Sequence, residues 1–416
     1  MKGSRTRWVR AAGLMMAFAV ATMARADFII VNARIELGDG KVIEKGSVYV
    51  KGNKIEAIGE SVKAPDGTES MDATGMTVYP GFIDAYTTRG LKLPEPPTAA
   101  TPPSTTNTAP PTMWAGNRKG IRAQVKAADS LNYSAYVGDA RVNGITTAVF
   151  FPGGATVRGS GAIAAVAEVE KPTGKEFGME ISFRSGSGTG YPGSLMGVIA
   201  LLRQTLFDAQ RQSQLATPPK DADLDALVPL VKGQQPGVVW ADTEVEIVRA
   251  LRLGEEFGFK VILASAREGQ KRAEQLAKAK IPVLAAISVG LEPGVTPAND
   301  GPPVEVLEER RENWRVRSKN VIKMIEAGVP VAFSSESDGF ASYLANVRKL
   351  IEMGLKREDA LRAMTVTPAE IFGLSDSGAL AAGKAANIVV MTGDFAKADS
   401  KVKWIVVNGT KTEVTK

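Results

Sequence analysis

Apolar and polar positions alternate over short runs at both ends of this chain. Residues 28–37, 47–50 and 54–58 are apolar or β-branched runs broken by Gly-Asp-Gly and Lys-Gly-Asn, a pattern that predicts strands joined by turns. A fourth run, 76–83, is more continuously apolar and carries Pro80-Gly81 inside it. Residues 387–391 and 401–407 repeat the strand pattern near the other end. Strands at both ends predict one small β-sandwich built from both termini, from 27–76 and 380–416.

The middle of the chain has a different rhythm. Apolar runs at 145–151, 237–240, 260–264, 281–287 and 329–333 alternate with amphipathic stretches at 244–257, 268–278, 313–327, 357–364 and 368–372. Repeated strand-then-helix units imply parallel strands with helical crossovers. Their number predicts a (β/α)8 TIM barrel over 77–379, with a doubly wound open sheet as the alternative. Two glycine-rich stretches interrupt the pattern. Residues 152–161 follow a strand and are expected to lead into an apolar helix; residues 184–193 precede a helix expected over 194–210. Neither matches a phosphate-binding loop, so both are read as tight strand-to-helix turns. Residues 94–112 hold 7 Pro and 6 Thr among 19 residues, with Glu95 the only charge. This stretch is expected to be an extended, mobile loop leaving the face where barrel enzymes keep their sites.

Composition narrows the chemistry. With 416 residues, 44% of them apolar, the chain can bury a large core without a metal or disulfides. The formal charge of +6 misleads, because Lys2, Arg5, Arg7, Arg10 and Arg25 lie in an acid-free leader. Without those five cations the balance is +1, which gives no electrostatic case for nucleic acid or anionic lipid. Residues 1–26 read as a signal peptide: a cationic start, an apolar stretch over 11–23, and Ala24-Arg25-Ala26 as the cleavage site. The expected mature chain starts at Asp27 and is periplasmic or secreted, with no membrane association after cleavage. The chain contains no histidine and no cysteine. Ser-His-Asp triads, Cys-His pairs and thiolate metal sites are therefore impossible.

Three motifs point to a family. Val78-Tyr79-Pro80-Gly81-Phe82-Ile83-Asp84-Ala85-Tyr86-Thr87-Thr88 resembles V-x-P-G-F-I-D-x-H-x-H, the first barrel strand of the amidohydrolase superfamily. Asn143-Gly144-Ile145-Thr146-Thr147 resembles the common N-G-V-T-T. Thr367-Pro368-Ala369 with Gly373-Leu374, followed by Gly383-Lys384 and Asn387-Ile388-Val389-Val390, looks like the family's C-terminal signature, with Asn387 in place of its Asp. The likeness covers essentially the whole mature chain and is nearest to the secreted, imidazolonepropionase-like branch. It implies a barrel with a β-sandwich from both termini. It also implies hydrolysis of amide or cyclic amide C–N bonds by water on one or two divalent metals, held by histidines and an Asp on the last strand.

Carried over position by position, that metal site is altered. Tyr86 and Thr88 stand where the first histidine pair should be; Trp240 and Asp242 stand on the fifth strand. Ser265 marks a sixth strand without a ligand, and Glu336 replaces the Asp of the eighth. No residue is assigned to the strand-four position. Asp84, Asp242, Glu336 and Asp338 could together bind a hard cation through oxygen. The preferred expectation is that Asp84 braces a strand end and the others are solvated loop acids. Trp240 is expected to fill space, the alternative being a stacking platform for a ligand. The expectation is thus a protein with no cofactor and no metal, an amidohydrolase homologue without catalysis that acts as a binding or structural subunit. Its partner would be an active paralogue or a second copy, with a small-molecule ligand possible in the barrel mouth. Two alternatives stay open: an active hydrolase with a metal-free or carboxylate-ligated site, and a periplasmic small-molecule binder.

Overall fold

The computed structural model describes residues 27–95, 120–185, 192–296 and 301–415. The expected signal peptide, nearly all of the Pro/Thr-rich stretch and the centre of the second glycine-rich stretch lie outside the described residues.

Sixteen strands, counted among the described residues, form two sheets of eight. The first sheet combines β1 (Phe28–Glu36), β2 (Val42–Lys51), β3 (Lys54–Gly59), β4 (Glu69–Asp72) and β5 (Thr77–Pro80) with β14 (Ile388–Met391), β15 (Val402–Val407) and β16 (Thr410–Glu413). Both ends of the chain thus meet in one structure, as the sequence predicts. It is a single branched sheet: β5 lies between β1 and β14, and β4 pairs with β1 off the main path. Its core is aliphatic and includes Ile30, Ile35, Val48, Ile55, Val390 and Val406.

The second sheet is the barrel. It runs from β6 (Phe82–Thr87) through β7 (Ile145–Phe150), β8 (Val157–Ala165), β9 (Lys175–Ser182), β10 (Gly237–Ala241), β11 (Val261–Ser265) and β12 (Val283–Ala286) to β13 (Val331–Ser334). A lone bridge from Thr87 to Glu336 brings the two ends together and nearly closes it. Alternation along each strand separates two cores. Val238, Ile262, Leu284 and Ala332 face the barrel interior, while Val239, Leu263, Val283 and Phe333 pack outward with the helices.

The barrel departs from the expected repeat in one place. The stretch 157–165, expected as the end of a tight turn and the start of an apolar helix, is β8, and it runs antiparallel to both of its neighbours. The reason is packing. Gly161 sits so close to Phe151 that a Cβ there would lie 2.4 Å from its ring. Only a chain of very small residues can pass between β7 and β9 at this point. A second correction concerns 313–327, which is not one helix but the end of Val304–Ser318 followed by Asn320–Glu326.

Local chemistry explains the elements that frame the barrel. Helix Glu244–Phe257 starts with a capping box between Thr243 and Glu246 and ends at Gly258 in the left-handed region. Helix Leu195–Gln214 is capped by Ser194, whose side chain accepts from the Gly197 amide. The Pro-Gly-Phe of the first motif has a steric cause. A Cβ on Gly81 would fall 2.1 Å from Thr146 Oγ1, so the chain can cross from one sheet to the other there only as glycine.

Candidate functional site

The strands β6 and β9 to β13 aim their C-terminal ends at one mouth, and the residues singled out from sequence gather there with two exceptions. Asp338 is exposed outside the group, and Thr88 lies at its edge, where its amide donates to Glu336 O across the seam between β6 and β13.

Asp84 is fully buried on β6. Oδ1 accepts from the Ser335 amide at 2.9 Å, and Oδ2 accepts from the Ser335 hydroxyl. It therefore ties the first barrel strand to the loop after the last one. Burial pushes its carboxyl up to about 7, against the opposing pull of the two Ser335 hydrogen bonds.

The centre of the mouth is occupied by a network that spacing along the chain does not reveal. Tyr86 donates its hydroxyl to Glu180 of β9. Arg158 of β8 donates to the same oxygen at 2.9 Å, and the Gly153 amide donates to the other at 2.9 Å. Arg158 also donates to Ala155 O. Glu180 is 0% and Arg158 7% exposed, so this is an ion pair inside the barrel. Its charges compensate each other where water cannot, and removing one partner of such a pair costs about 3–5 kcal/mol. Burial first, then the Glu180 carboxylate, raises the Tyr86 hydroxyl well above its ordinary value, so it stays a donor. Tyr86 stacks on Phe151 at 4.8 Å between ring centres and meets Trp240 at 5.3 Å. Two guanidiniums lie over the Trp240 ring, Arg158 at 5.5 Å and Arg184 at 5.8 Å from its centre. It is half-buried and packed, and its Nε1 donates to Asp242.

The two remaining acids are not the solvated loop groups expected from the sequence. Asp242 accepts from Arg184 at 2.7 Å and lies 3.7 Å from Arg267. Glu336 is buried and paired with Arg267. Burial raises its carboxyl above the usual range, while Arg267 and the nearby Ser265 hydroxyl oppose that. The Ser265 hydroxyl and Glu336 Oε1 are both buried without a hydrogen bond of full geometry. Backbone conformation aims these groups. Ser265, Ala266 and Glu336 adopt φ of 73°, 47° and 49°, a region that costs a non-glycine residue roughly 1 kcal/mol or more. The Glu336 amide offsets that by donating to Tyr86 O at 2.9 Å.

Glu180 fills the strand-four position left unassigned by the sequence, and Arg158, Arg184 and Arg267 are additions to the site. Glu180 was within reach of sequence reasoning, because an acid within the apolar run of 179–183 is a buried charge that needs a partner. Nothing along the chain announces Arg158, which sits in a stretch that reads as a turn. Among the described residues no group of three or more acids is placed to hold a metal ion.

Comparison with known proteins bears on the fold that carries this site. Residues 262–412, from within β11 to within β16, match the family model described as amidohydrolase family. An amidohydrolase of Thermotoga maritima MSB8 superposes with a TM-score of 0.73, covering 92% of this chain and 99% of that one at 22% identity. A prolidase solved with N-methylphosphonate-L-proline superposes at a TM-score of 0.56 and 17% identity, covering 93% of this chain and all of that one. A curated relative, N-acyl-D-aspartate deacylase of Alcaligenes xylosoxydans xylosoxydans, is 42% identical over 64 residues. That match takes in 15% of this chain and only 13% of the deacylase.

Proposed function

Because the chain belongs to the amidohydrolase superfamily, whose fold serves hydrolysis of carbon–nitrogen bonds, we propose that it is a member in which metal-dependent hydrolysis has given way to binding. The observation that carries this reading is the pairing of three of the mouth's four acids with arginines, Glu180 with Arg158, Asp242 with Arg184 and Glu336 with Arg267, while the fourth, Asp84, is held by Ser335. A divalent cation needs oxygens that are free to converge on it. Here those oxygens already serve guanidiniums, and an entering cation would meet the charges of Arg158 and Arg267 at close range. The donor set does not fit the metal centre that the family resemblance implies. Tyr86 and Trp240 add bulk where a metal and its water would need room.

We place this protein, after removal of residues 1–26, in the periplasm or outside the cell. It would act there as a homo-oligomer or beside an active paralogue. A second reading, retained metal-free hydrolysis, rests on Asp84 and Glu336, two buried carboxyls raised above their ordinary range. Asp84 has both oxygens engaged by Ser335, which leaves it poorly placed to take a proton from water.

The test is turnover. The mature protein, prepared without a histidine tag and dialysed, is assayed with N-acyl amino acids, dipeptides and cyclic amides, with and without added Zn2+ or Mn2+. The deacylase likeness makes N-acyl amino acids the first class to try. No hydrolysis under either condition is expected. Turnover abolished by a chelator would overturn the proposal; turnover that survives the chelator would establish the metal-free reading in its place.

A further inference from the structure

Helix Val304–Ser318 connects β12 to β13, and it packs unlike the other long helices of the barrel. Of its fifteen residues only Ser318 is buried. It therefore stands off the barrel, leaving a cavity of about 420 Å3 between itself and the end of β12. That volume is in the range of small-molecule sites. The floor is apolar, formed by Ile287, Val289, Val321 and Leu350.

The helix presents Arg310, Asn313, Trp314 and Arg317 to this space. Their spacing of three, four and seven residues puts them on one face. The same helix carries Glu305, Glu308, Glu309 and Glu312, yet among the described residues no acid lines the cavity. Arg267, the third cation on the wall, is already committed to Glu336. Arg310 and Arg317 are different: among the described residues neither has an ion-pair or hydrogen-bond partner within reach. Glu268 feels Arg317 at longer range, but its carboxylate is itself paired with Lys271. Trp314 is fixed in place, its Nε1 donating to Val289 O at 2.8 Å while Lys349 Nζ lies 5.7 Å from its ring centre.

Two unpaired guanidiniums, a held indole and an aliphatic floor define a ligand by its chemistry. We propose that this cavity binds a small organic carboxylate with an apolar or aromatic body. Arg310 and Arg317 take the carboxylate, for which the planar guanidinium fork is well shaped. The body of the ligand lies against Trp314 and the floor. The cavity meets the mouth at Arg267, but Arg310, Trp314 and Arg317 take no part in the network around Arg158, so the proposal goes beyond the reading given above and stands whether or not the centre hydrolyses anything.

Calorimetric titration of the mature protein with N-acetylphenylalanine tests it, with N-acetylphenylalanine amide as the uncharged counterpart and inorganic phosphate as the bare anion. Saturable binding of the acid is expected. The amide should bind roughly tenfold or more weakly, the value of one charge-assisted contact. The double variant Arg310→Gln, Arg317→Gln should lose at least the same factor. Both side chains are exposed, so the variant should unfold at the temperature of the parent, and this is measured alongside. No saturation by the acid at millimolar concentration, equal binding of acid and amide, or undiminished binding by the double variant would each overturn the proposal. Phosphate binding as tightly as the acid would overturn the organic ligand class. Turnover by the wild type would count against the reading of the central site and leave this one intact.

Discussion

Asp84 is a buried carboxyl whose work is mechanical: it fastens Ser335, at the end of the barrel sheet, to the first strand. That role has a pH signature. In the folded protein its pKa is raised to about 7, above an unfolded value near 4. A group raised in this way binds its proton more readily in the folded state. Its contribution to stability is fully present below about pH 4 and is lost as the pH rises to about 7, a change on the order of a few kcal/mol. Asp84→Asn keeps the shape and an acceptor for the Ser335 amide but cannot ionise. The expected outcome is that urea unfolding of the wild type weakens more steeply over this window than that of the variant. Glu336, raised in the same sense, leaves the variant a residual slope. Identical slopes would mean that Asp84 does not titrate in this range. The Asp84 contact was legible as a brace, because an acid inside an apolar strand run must find donors. The partner, Ser335, lies 251 residues away, and no local pattern specifies a pairing at that distance.

At the scale of elements, what could be read depended on side-chain volume. The strands of the terminal sheet and β10 to β13 are rich in Val, Ile and Leu, and their alternation or continuous apolarity announces them. β8 carries Gly159, Ser160, Gly161 and Ala162 at its centre, residues that locally favour turns. It is a strand because tertiary packing overrides that preference. At Gly161 the Phe151 ring leaves room for a backbone and little else. The same element delivers Arg158, so its reading as a tight turn also hid the charge at the middle of the mouth. Gly161→Ala tests this account. The added methyl would press on the Phe151 ring and through it on the Tyr86 stack, and a destabilisation of about 1–3 kcal/mol is expected. Adding Phe151→Leu to Gly161→Ala should recover part of that loss in denaturant unfolding. Additive losses would show that the two residues do not share the strain.

For the whole molecule, the sheet from both termini, the nearly closed barrel and the mouth fit together through the first motif, which leaves one sheet at Pro80 and enters the other at Phe82. Tyr86, four residues further on, is where the resemblance to the family's histidines breaks off, and it is also the hub of the network inside the barrel. The double variant Tyr86→His, Thr88→His should therefore fail to gain metal-dependent hydrolysis. An imidazole at 86 would abandon the hydroxyl bond to Glu180 and part of the stack with Phe151 and Trp240. Glu180 would keep Arg158 as its counter-ion, so the oxygen best placed to help a new ligand pair would remain engaged. Thr88 lies off the centre, with its amide on Glu336 O, so a second imidazole would start from the rim. A catalytic zinc needs three protein ligands and an open position for water. The change supplies two at best, beside a guanidinium whose charge repels the ion. Elemental analysis after dialysis should find no stoichiometric Zn, and unfolding should show the variant less stable than the parent. Metal-dependent turnover of any amide by the double variant would show that the arginines yield to a cation, and that the mouth is one substitution pair away from the chemistry of its relatives.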